Sequence, residues 1–205
     1  MDAIRTAYSQ AYYRMLLLVK SGRIGEVVSV DSSCSSLRNT DLRTDELRSA
    51  WNSICAWGPN ALLPVFQLLG TEYKDKQMIS KIAEGTENYD SFIKISFVYP
   101  HAVASVKVGM GVKTEGELVI SGTTGYVYVP APWWKTDYFE VRFEDPAENK
   151  RHFYQLEGEG IRYELVAFAN AIQNGHPDYY ISRDISKSFA EIMQRNVISH
   201  QKDYI

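Results

Sequence analysis

Apolar residues recur at helical spacing near both ends of the chain and alternate in between. The interval Tyr8 to Ser21 predicts a helix that Gly22 ends, with Ala11, Met15, Leu18 and Val19 on its buried face and Tyr12 and Leu16 beside them. The interval Glu26 to about Leu37 alternates from one residue to the next, which predicts a strand. The polar interval Arg38 to Trp51 predicts a loop or a short helix.

The stretch ICAWGPNALLPVFQLLG, Ile54 to Gly70, carries almost no group for acid–base chemistry. Gly58 and Pro59 predict a turn that opens a helix, and that helix would bury Leu62, Leu63, Phe66 and Leu69.

Six short segments from Gln77 onward are rich in β-branched and aromatic residues, and most are bounded by Gly, Pro or Asn. In SFIKISFVY, strict alternation places Ile93, Ile95 and Phe97 toward the core. Strands joined by short turns favour an antiparallel meander, to which HFYQL would add one more strand.

Two helices are predicted to close the chain. Ile161 to Asn174 carries one apolar face, Gly175 ends it, and Ser182 caps the next helix. The two apolar faces comprise Ile161, Leu165, Phe168 and Ile172, and then Ile185, Phe189, Ile192, Met193 and Val197. Together these elements predict an α+β fold, an open and predominantly antiparallel sheet of six to eight strands with helices packed on one face.

Composition narrows the functional classes. The chain has 205 residues and a formal net charge of -3, with no Lys/Arg cluster, so we expect no binding to nucleic acid. The longest apolar run, Met15 to Val19, is far too short to span a membrane. Two cysteines make no disulfide framework, so we predict reduced thiols and a cytoplasmic protein. A single bridge between Cys34 and Cys55 is the alternative.

Known chemical motifs are scarce. The chain lacks a G-x-G-x-x-G fingerprint, and its four histidines show no metal-ligand spacing, so we predict neither a cofactor site nor a metal site here. The adjacent Trp133 and Trp134 stand out. On an extended segment they point to opposite sides, so one should cover a ligand, a partner subunit or the second face of the sheet. Packing under a neighbouring loop is the alternative for that side chain.

Three segments follow one another in an order found in a known family. The first is Ser21-Gly22-x-Ile24-Gly25, and the second is the hairpin pattern Gly-x-Leu-x-Ile-x-Gly-x-x-Gly from Gly116 to Gly125. The third is the pair GEGIRYELVAFANAIQNG and SRDISKSFAEIMQ. Together they resemble the region after the nucleotide-binding domain in the Gfo/Idh/MocA family, the glucose–fructose oxidoreductase and inositol dehydrogenase family.

The resemblance implies that residues 1–205 are a single C-terminal substrate-binding and oligomerisation domain, with the fold of the C-terminal domain of glyceraldehyde-3-phosphate dehydrogenase. Family members begin with a Rossmann domain that binds NAD(P) and carries a catalytic lysine in a Glu-Lys-Pro motif. That motif is absent from this sequence. We therefore expect the Rossmann domain to lie outside this chain, and NAD or NADP to bind only the full-length parent. The resemblance also implies a homodimer through the open sheet face.

The family pattern Asp-x-Gly-x-His-x-x-Asp aligns on Gly58. Asn60 then holds the position of the proton-transferring histidine, and Ala56 and Leu63 hold the acidic positions. Asparagine forms hydrogen bonds but exchanges no proton near neutral pH. We therefore predict no catalytic residue here.

Asn60, Trp57 and Trp133 are the predicted substrate-binding residues, for a sugar, polyol or sugar-nucleotide substrate of an NAD(P)-dependent oxidoreductase. Two alternatives stay open: Asn60 caps its helix, or the chain is a degenerate, non-catalytic module for sugar binding or dimerisation.

Overall fold

A computed structural model describes residues 2–37, 52–83, 90–155, 160–175 and 180–199, with side chains described as far as residue 194 in the last helix. Five helices and eight strands follow one another along the described chain. Their bounds are α1 Arg5–Tyr8, α2 Gln10–Lys20, β1 Val27–Ser36, α3 Ser53–Leu69, β2 Asp75–Ile82, β3 Asp90–Val98, β4 Val103–Met110, β5 Leu118–Gly122, β6 Gly125–Val129, β7 Tyr138–Phe143, β8 Lys150–Phe153, α4 Ile161–Asn174 and α5 Arg183–Ser199.

All eight strands form one open sheet in the order β2-β3-β4-β1-β5-β6-β7-β8. The predicted α+β fold is confirmed, and so are the predicted strands. The meander is interrupted at one point, because β1 lies between β4 and β5. It pairs parallel to β4 and antiparallel to β5, so Val30 lies beside both Ala104 and Ile120. Alternation within a strand carries no information on its neighbours, and this insertion was therefore not predicted.

The core lies between one face of the sheet and the helices. Ile93, Ile95 and Phe97 are buried, as predicted. Helix α3 lies against β1, β3 and β4, and α5 packs on its outer side. Phe66 joins these layers, since its ring centroid is 5.9 Å from that of Phe97 and 5.8 Å from that of Phe189.

The first predicted helix forms as α2 but begins at Gln10 rather than Tyr8, because Ser9 lies in extended conformation between α1 and α2. Its predicted apolar face is buried apart from Leu18, which is half-buried. Gly22 ends α2 with a φ of 79°, as predicted. The turn that follows approaches the β5–β6 hairpin closely. A Cβ at Gly122 would collide with the carbonyl oxygen of Ile24, so only glycine fits there.

Helix α3 differs from its prediction at its start. It begins at Ser53, with Gly58 and Pro59 inside it. The predicted turn is therefore wrong, because packing on both sides keeps the helix continuous through prolines that would break an exposed one. The prediction of buried Leu62, Leu63, Phe66 and Leu69 is confirmed. Asn52 caps the helix through a 3.0 Å hydrogen bond from Cys55 N to Asn52 Oδ1. The alternative in which Asn60 is the cap is wrong.

The closing helices differ in burial. Ser182 caps α5, as predicted, since Ile185 N donates to Ser182 Oγ at 3.3 Å. In α4 the predicted helix forms and Gly175 follows it with a φ of 64°, but none of its residues is buried. Cys34 and Cys55 are free thiols. No described helix combines the length and apolar character that crossing a bilayer requires. The predicted loop at Arg38 to Trp51 lies outside the described residues.

Candidate functional site

The predicted substrate-binding residues meet where α3 faces α1 and a short 3-10 turn, Trp133–Lys135. Trp57 and Asn60 are three residues apart in α3, so they lie on the same helix face. The ring centroids of Trp57 and Trp134 are 4.8 Å apart. Thr6 of α1 contacts both Asn60 and the backbone of Trp134. We call Thr6, Trp57, Asn60, Trp133 and Trp134 the tryptophan cluster.

Asn60 is half-buried in the tryptophan cluster and keeps donor capacity. Thr6 Oγ1 lies 3.3 Å from Asn60 Oδ1 and 3.1 Å from the carbonyl oxygen of Trp134. A hydroxyl has one proton, so Thr6 donates to one of these oxygens at a time. Within the described residues, the Asn60 amide nitrogen has no hydrogen-bond partner. Its two N–H groups can donate to a ligand oxygen.

Trp57 carries a second open donor. Its indole Nε1 is buried, and no acceptor for it exists among the described residues. A buried donor that forms no hydrogen bond costs about 1–3 kcal/mol of stability. An unpaired indole N–H beside another unpaired donor therefore indicates a ligand-binding site. The ring is inclined at 54° to that of Trp134, and the two indoles form a partly exposed aromatic surface. The cluster therefore combines hydrogen-bond donors with aromatic faces.

Trp133 lies beneath this surface. It is only 1% exposed, and its Nε1 donates to the carbonyl oxygen of Ser33 at 3.1 Å. Its ring packs against Tyr12 at 5.9 Å and stands perpendicular to that of Trp134 at 6.3 Å. The two tryptophans belong to a 3-10 turn, so the assumption of an extended segment is wrong. One of them is nevertheless in the core and the other partly exposed.

Ionisable groups near the cluster are poorly suited to proton transfer. Burial raises the pKa of Tyr12, whose hydroxyl donates to Gln67 Oε1 at 2.7 Å. Burial also raises the pKa of Cys34, and this effect is larger than the lowering by a hydrogen bond with Trp133. For Cys55, burial and then the charge of Asp90 raise the pKa. These three groups are neutral at pH 7, so none of them suits the role of general base, and the tryptophan cluster can bind and orient a ligand.

Asp90 is a buried polar residue that sequence reasoning missed. It opens β3, is fully buried, and accepts hydrogen bonds from the backbone N of Ser53 at 3.0 Å and from the Ser53 hydroxyl. A carboxylate at the first turn of a helix satisfies backbone N–H groups that have no partner within the helix. Asp90 therefore holds the start of α3 against the sheet. The one available signal was an acidic residue directly before an alternating apolar strand.

The described residues contain no cluster of three or more His, Cys, Asp or Glu side chains that could hold a metal ion. The one parallel strand pair described, β1 with β4, is connected through α3 and two further strands. A dinucleotide fingerprint needs a glycine-rich turn between a strand and its crossover helix, and the sequence lacks that turn.

Comparison with solved structures shows that oxidoreductases share this fold. An aldose-aldose oxidoreductase from Caulobacter crescentus, crystallised with glycerol, matches 100% of this chain with a TM-score of 0.77 and 14% identity. KijD10, a 3-ketoreductase from Actinomadura kijaniata with NADP and TDP-benzene, matches 98% with a TM-score of 0.74 and 13% identity. A levoglucosan dehydrogenase complexed with NADH and levoglucosan matches 98% with a TM-score of 0.78 and 14% identity.

Sequence comparison adds nothing to this result, because no protein-family model and no curated protein matches the chain. The chain spans 62%, 62% and 63% of the length of the three structures. They are Gfo/Idh/MocA-type oxidoreductases, so the resemblance found in the glycine motifs is confirmed at the level of the fold. The chain has the fold of the C-terminal domain of Gfo/Idh/MocA oxidoreductases.

Proposed function

We propose that this chain is the substrate-binding, C-terminal domain of an NAD(P)-dependent oxidoreductase that acts on a sugar, a polyol or a sugar-nucleotide. Two findings support this. The fold matches an aldose-aldose oxidoreductase, a 3-ketoreductase and a levoglucosan dehydrogenase over almost the whole chain. Two residues of the tryptophan cluster, Trp57 and Asn60, lie on α3, the helix that carries the proton-transferring histidine in the family to which the motifs are similar.

The observation that carries the proposal is the pair of open donors, Trp57 Nε1 and the Asn60 amide, beside two indole rings. Sugars and polyols present hydroxyl oxygens that accept such hydrogen bonds, and apolar C–H faces that pack on aromatic rings. In the proposed role, Asn60 donates to a substrate oxygen, and Trp57 donates to a second one after its ring turns to expose the buried Nε1. Trp134 covers the ring, and the buried Trp133 holds Trp134 in place.

The chemical step needs groups that this chain does not supply. A nicotinamide cofactor, when bound to the parent protein, supplies or accepts the hydride. Asn60 binds the reacting hydroxyl but takes no proton from it. The proton acceptor would then come from the Rossmann domain, and the isolated chain binds substrate without turnover. In the parent, either NAD or NADP fills the cofactor role.

Intrinsic tryptophan fluorescence of the chain, titrated with glucose, glycerol, myo-inositol and UDP-glucose, tests the binding role. We expect saturable quenching by at least one of these compounds. Asn60→Ala and Trp57→Phe should each weaken it by about tenfold, the effect of losing one well-made hydrogen bond. Gln194→Ala removes an exposed amide from α5 and should change nothing. Equal affinity in all three variants would exclude the cluster as the binding site.

The oxidoreductase part is tested with the protein that includes the preceding domain. Calorimetric titration with NADH and with NADPH should give binding of one of them. Binding of neither would overturn the proposed class. The same protein should turn over the sugar that quenches the cluster fluorescence, and Asn60→His should raise that rate, because histidine can exchange the proton.

The second candidate, a non-catalytic sugar-binding module, is favoured by the absence of an ionisable group at Ala56, Asn60 and Leu63. It predicts sugar quenching and cofactor binding in the same assays, with no turnover before or after Asn60→His. The two candidates therefore separate on one variant.

We also propose that the open face of the sheet is a homodimer interface. On this face the Arg142 guanidinium lies 4.7 Å from the ring centroid of Tyr128, and Arg151 lies 5.0 Å from that of Tyr138. Both arginines form ion pairs with Glu140, at 2.6 and 2.5 Å. Desolvation raises the pKa of Glu140, but the two arginines outweigh it, and the pKa lies below its ordinary value. Ordered arginine and tyrosine side chains are typical of protein interfaces.

Apolar side chains on the same face include Val103 and Ile79, which are 52% and 60% exposed. Sedimentation velocity at micromolar concentration should show a dimer. Val103→Lys should dissociate it, whereas Ile172→Lys on α4 should not. If only Ile172→Lys dissociated the dimer, the interface would include α4, and the proposed interface on the open sheet face would be wrong.

A further inference from the structure

A second concave site lies at the far end of α2, between that helix and the sheet edge formed by β7 and β8. It has a volume of about 600 Å³ and shares no lining residue with the tryptophan cluster. We call it the basic groove, and we define it by Arg14, Arg23, Phe139, Phe143, Lys150 and His152. Ligand pockets for small organic molecules have volumes of about 300–1,000 Å³, and the basic groove falls within that range.

Charge is unevenly distributed in the basic groove. Two arginines, a lysine and a histidine line it, and none of the lining residues is acidic. The whole chain, in contrast, carries a net charge of -3. Within the described residues, Arg14, Arg23 and Lys150 form no ion pair. Several unpaired cations around a concavity attract an anion, because no nearby carboxylate neutralises them.

Aromatic rings form the strand side of the basic groove. The rings of Phe139 and His152 are 5.0 Å apart and inclined at only 16°, and Tyr154 lies 6.1 Å from Phe139 at 13°. The Arg23 guanidinium lies 5.0 Å from the ring centroid of Phe143. Phe139 is only 1% exposed and supports this side from beneath. The partly exposed rings are those of Phe143, His152 and Tyr154, with the Arg23 cation at one end. Such a surface suits a flat ring system that carries negative charge.

Helix α2 supplies the opposite wall. Arg14, Leu17, Leu18 and Ser21 follow the spacing i, i+3, i+4, i+7, so they lie on one helix face. Leu17 is 43% exposed and Leu18 is half-buried, although leucines on a packed helix face are usually buried. This face therefore offers apolar contact beside a cation.

We propose that the basic groove binds a nucleoside diphosphate, with the base against the aromatic wall and the phosphates at Arg14, Arg23 and Lys150. Arginine binds phosphate oxygens in a bidentate manner, and lysine binds them as a point charge. Burial and then the charge of Lys150 lower the pKa of His152, so the imidazole is neutral at pH 7 and adds no repulsion between cations. The proposal is independent of the proposed oxidoreductase function, because it concerns other residues and needs no substrate.

Calorimetric titration of the 205-residue chain with ADP and with UDP tests the site. We expect saturable binding of at least one of them. Adenosine, which lacks the phosphates, and inorganic pyrophosphate, which lacks the base, should each bind at least about tenfold more weakly. Raising KCl from about 50 to about 300 mM should weaken the binding of the diphosphate, because salt screens its attraction to the arginines.

Variants locate the binding. Arg14→Gln combined with Arg23→Gln should weaken ADP binding by about tenfold or more, the effect expected on losing charged hydrogen bonds. Arg183→Gln removes one exposed charge at the start of α5 and should have no effect. Phe143→Leu should weaken ADP binding while leaving pyrophosphate binding unchanged.

Three results would overturn the proposal: no saturable binding of either nucleotide, equal affinity in the double variant, or adenosine binding as tight as ADP binding. Backbone amide shifts in an NMR titration provide a second measurement if a variant fails to fold. Shifts at β7 and β8 on addition of ADP support the site, and shifts confined to other elements contradict it.

Discussion

Helices α3 and α4 show how similar patterns can have different outcomes. Both have an apolar face at helical spacing, and both were predicted from it. In α3 that face is buried between the sheet and α5, and Leu62 and Leu63 are fully inaccessible. In α4 the corresponding residues are between 47% and 65% exposed: Ile161, Leu165, Phe168 and Ile172. Periodicity therefore identifies the face of a helix but not the surface that covers it.

The exposed face of α4 agrees with the proposal that another domain belongs to this protein. Contiguous apolar faces of this kind are uncommon on isolated monomers. The solved relatives contain more than a third of their length beyond the part that this chain matches. We expect a preceding Rossmann domain, if present, to lie against α4 and bury its apolar residues.

Hydrogen exchange should give the largest difference between the two helices. Amides of α3 should exchange only through global unfolding, whose free energy is about 5–15 kcal/mol for a domain. Amides of α4 should exchange through local opening that costs far less, because none of its residues is buried. Exchange followed by mass spectrometry measures both. Equal protection would break the comparison, and a rise for α4 alone in the longer protein would identify the surface that covers it.

Truncation of one leucine in each helix is the next largest test. Leu63→Ala should lower the free energy of unfolding by about 2–5 kcal/mol, because the side chain is fully buried and leaves a cavity. Leu165→Ala, at a position that is 61% exposed, should change it by about 0.5 kcal/mol or less. Urea denaturation of the 205-residue chain measures both. A large loss for Leu165→Ala would show that α4 is packed in solution.

The start of α3 should also depend on Asp90. Asp90→Asn removes the charge that accepts two hydrogen bonds from Ser53. We expect a loss of about 1.5–3 kcal/mol, the range for buried hydrogen bonds to a charged group. Asp75→Asn is the matched control, because Asp75 opens the adjacent strand and is exposed. Similar unfolding midpoints for the two variants would mean that Asp90 contributes little.

The sequence predicted most of the fold, because alternation and helical spacing report directly on burial. They identified the inward residues Ile93, Ile95 and Phe97 and every strand from β1 to β8. The position of β1 inside the sheet was not predicted, since pairing depends on contacts between distant segments. The helical path through Gly58 and Pro59 was missed for a similar reason, because packing overrides local propensity there.

The candidate site was predicted in part. Family resemblance directed attention to Asn60, and the adjacent tryptophans directed it to Trp133. The structure places both in one cluster with Trp57. It could not identify Thr6, whose contact with Asn60 spans 54 positions of sequence. The Trp57 N–H is unpaired because no described segment places an acceptor beside it. Local sequence patterns carry no information on such long-range contacts. The basic groove combines residues of α2, β7 and β8 that are distant in sequence. No cluster of Lys or Arg along the sequence indicated it.

Asn52, which caps α3, and Asn60, which lies inside it, should give the smallest difference in stability. Asn52 is 1% exposed and caps the helix, so Asn52→Ala should cost about 1 kcal/mol of stability. Asn60 lies inside the helix and has one long hydrogen bond, so Asn60→Ala should cost about 0.5 kcal/mol or less. Thermal denaturation resolves this difference. If Asn60→Ala proved the more destabilising change, Asn60 would be a structural residue, and its proposed role as a donor to substrate would lose its main support.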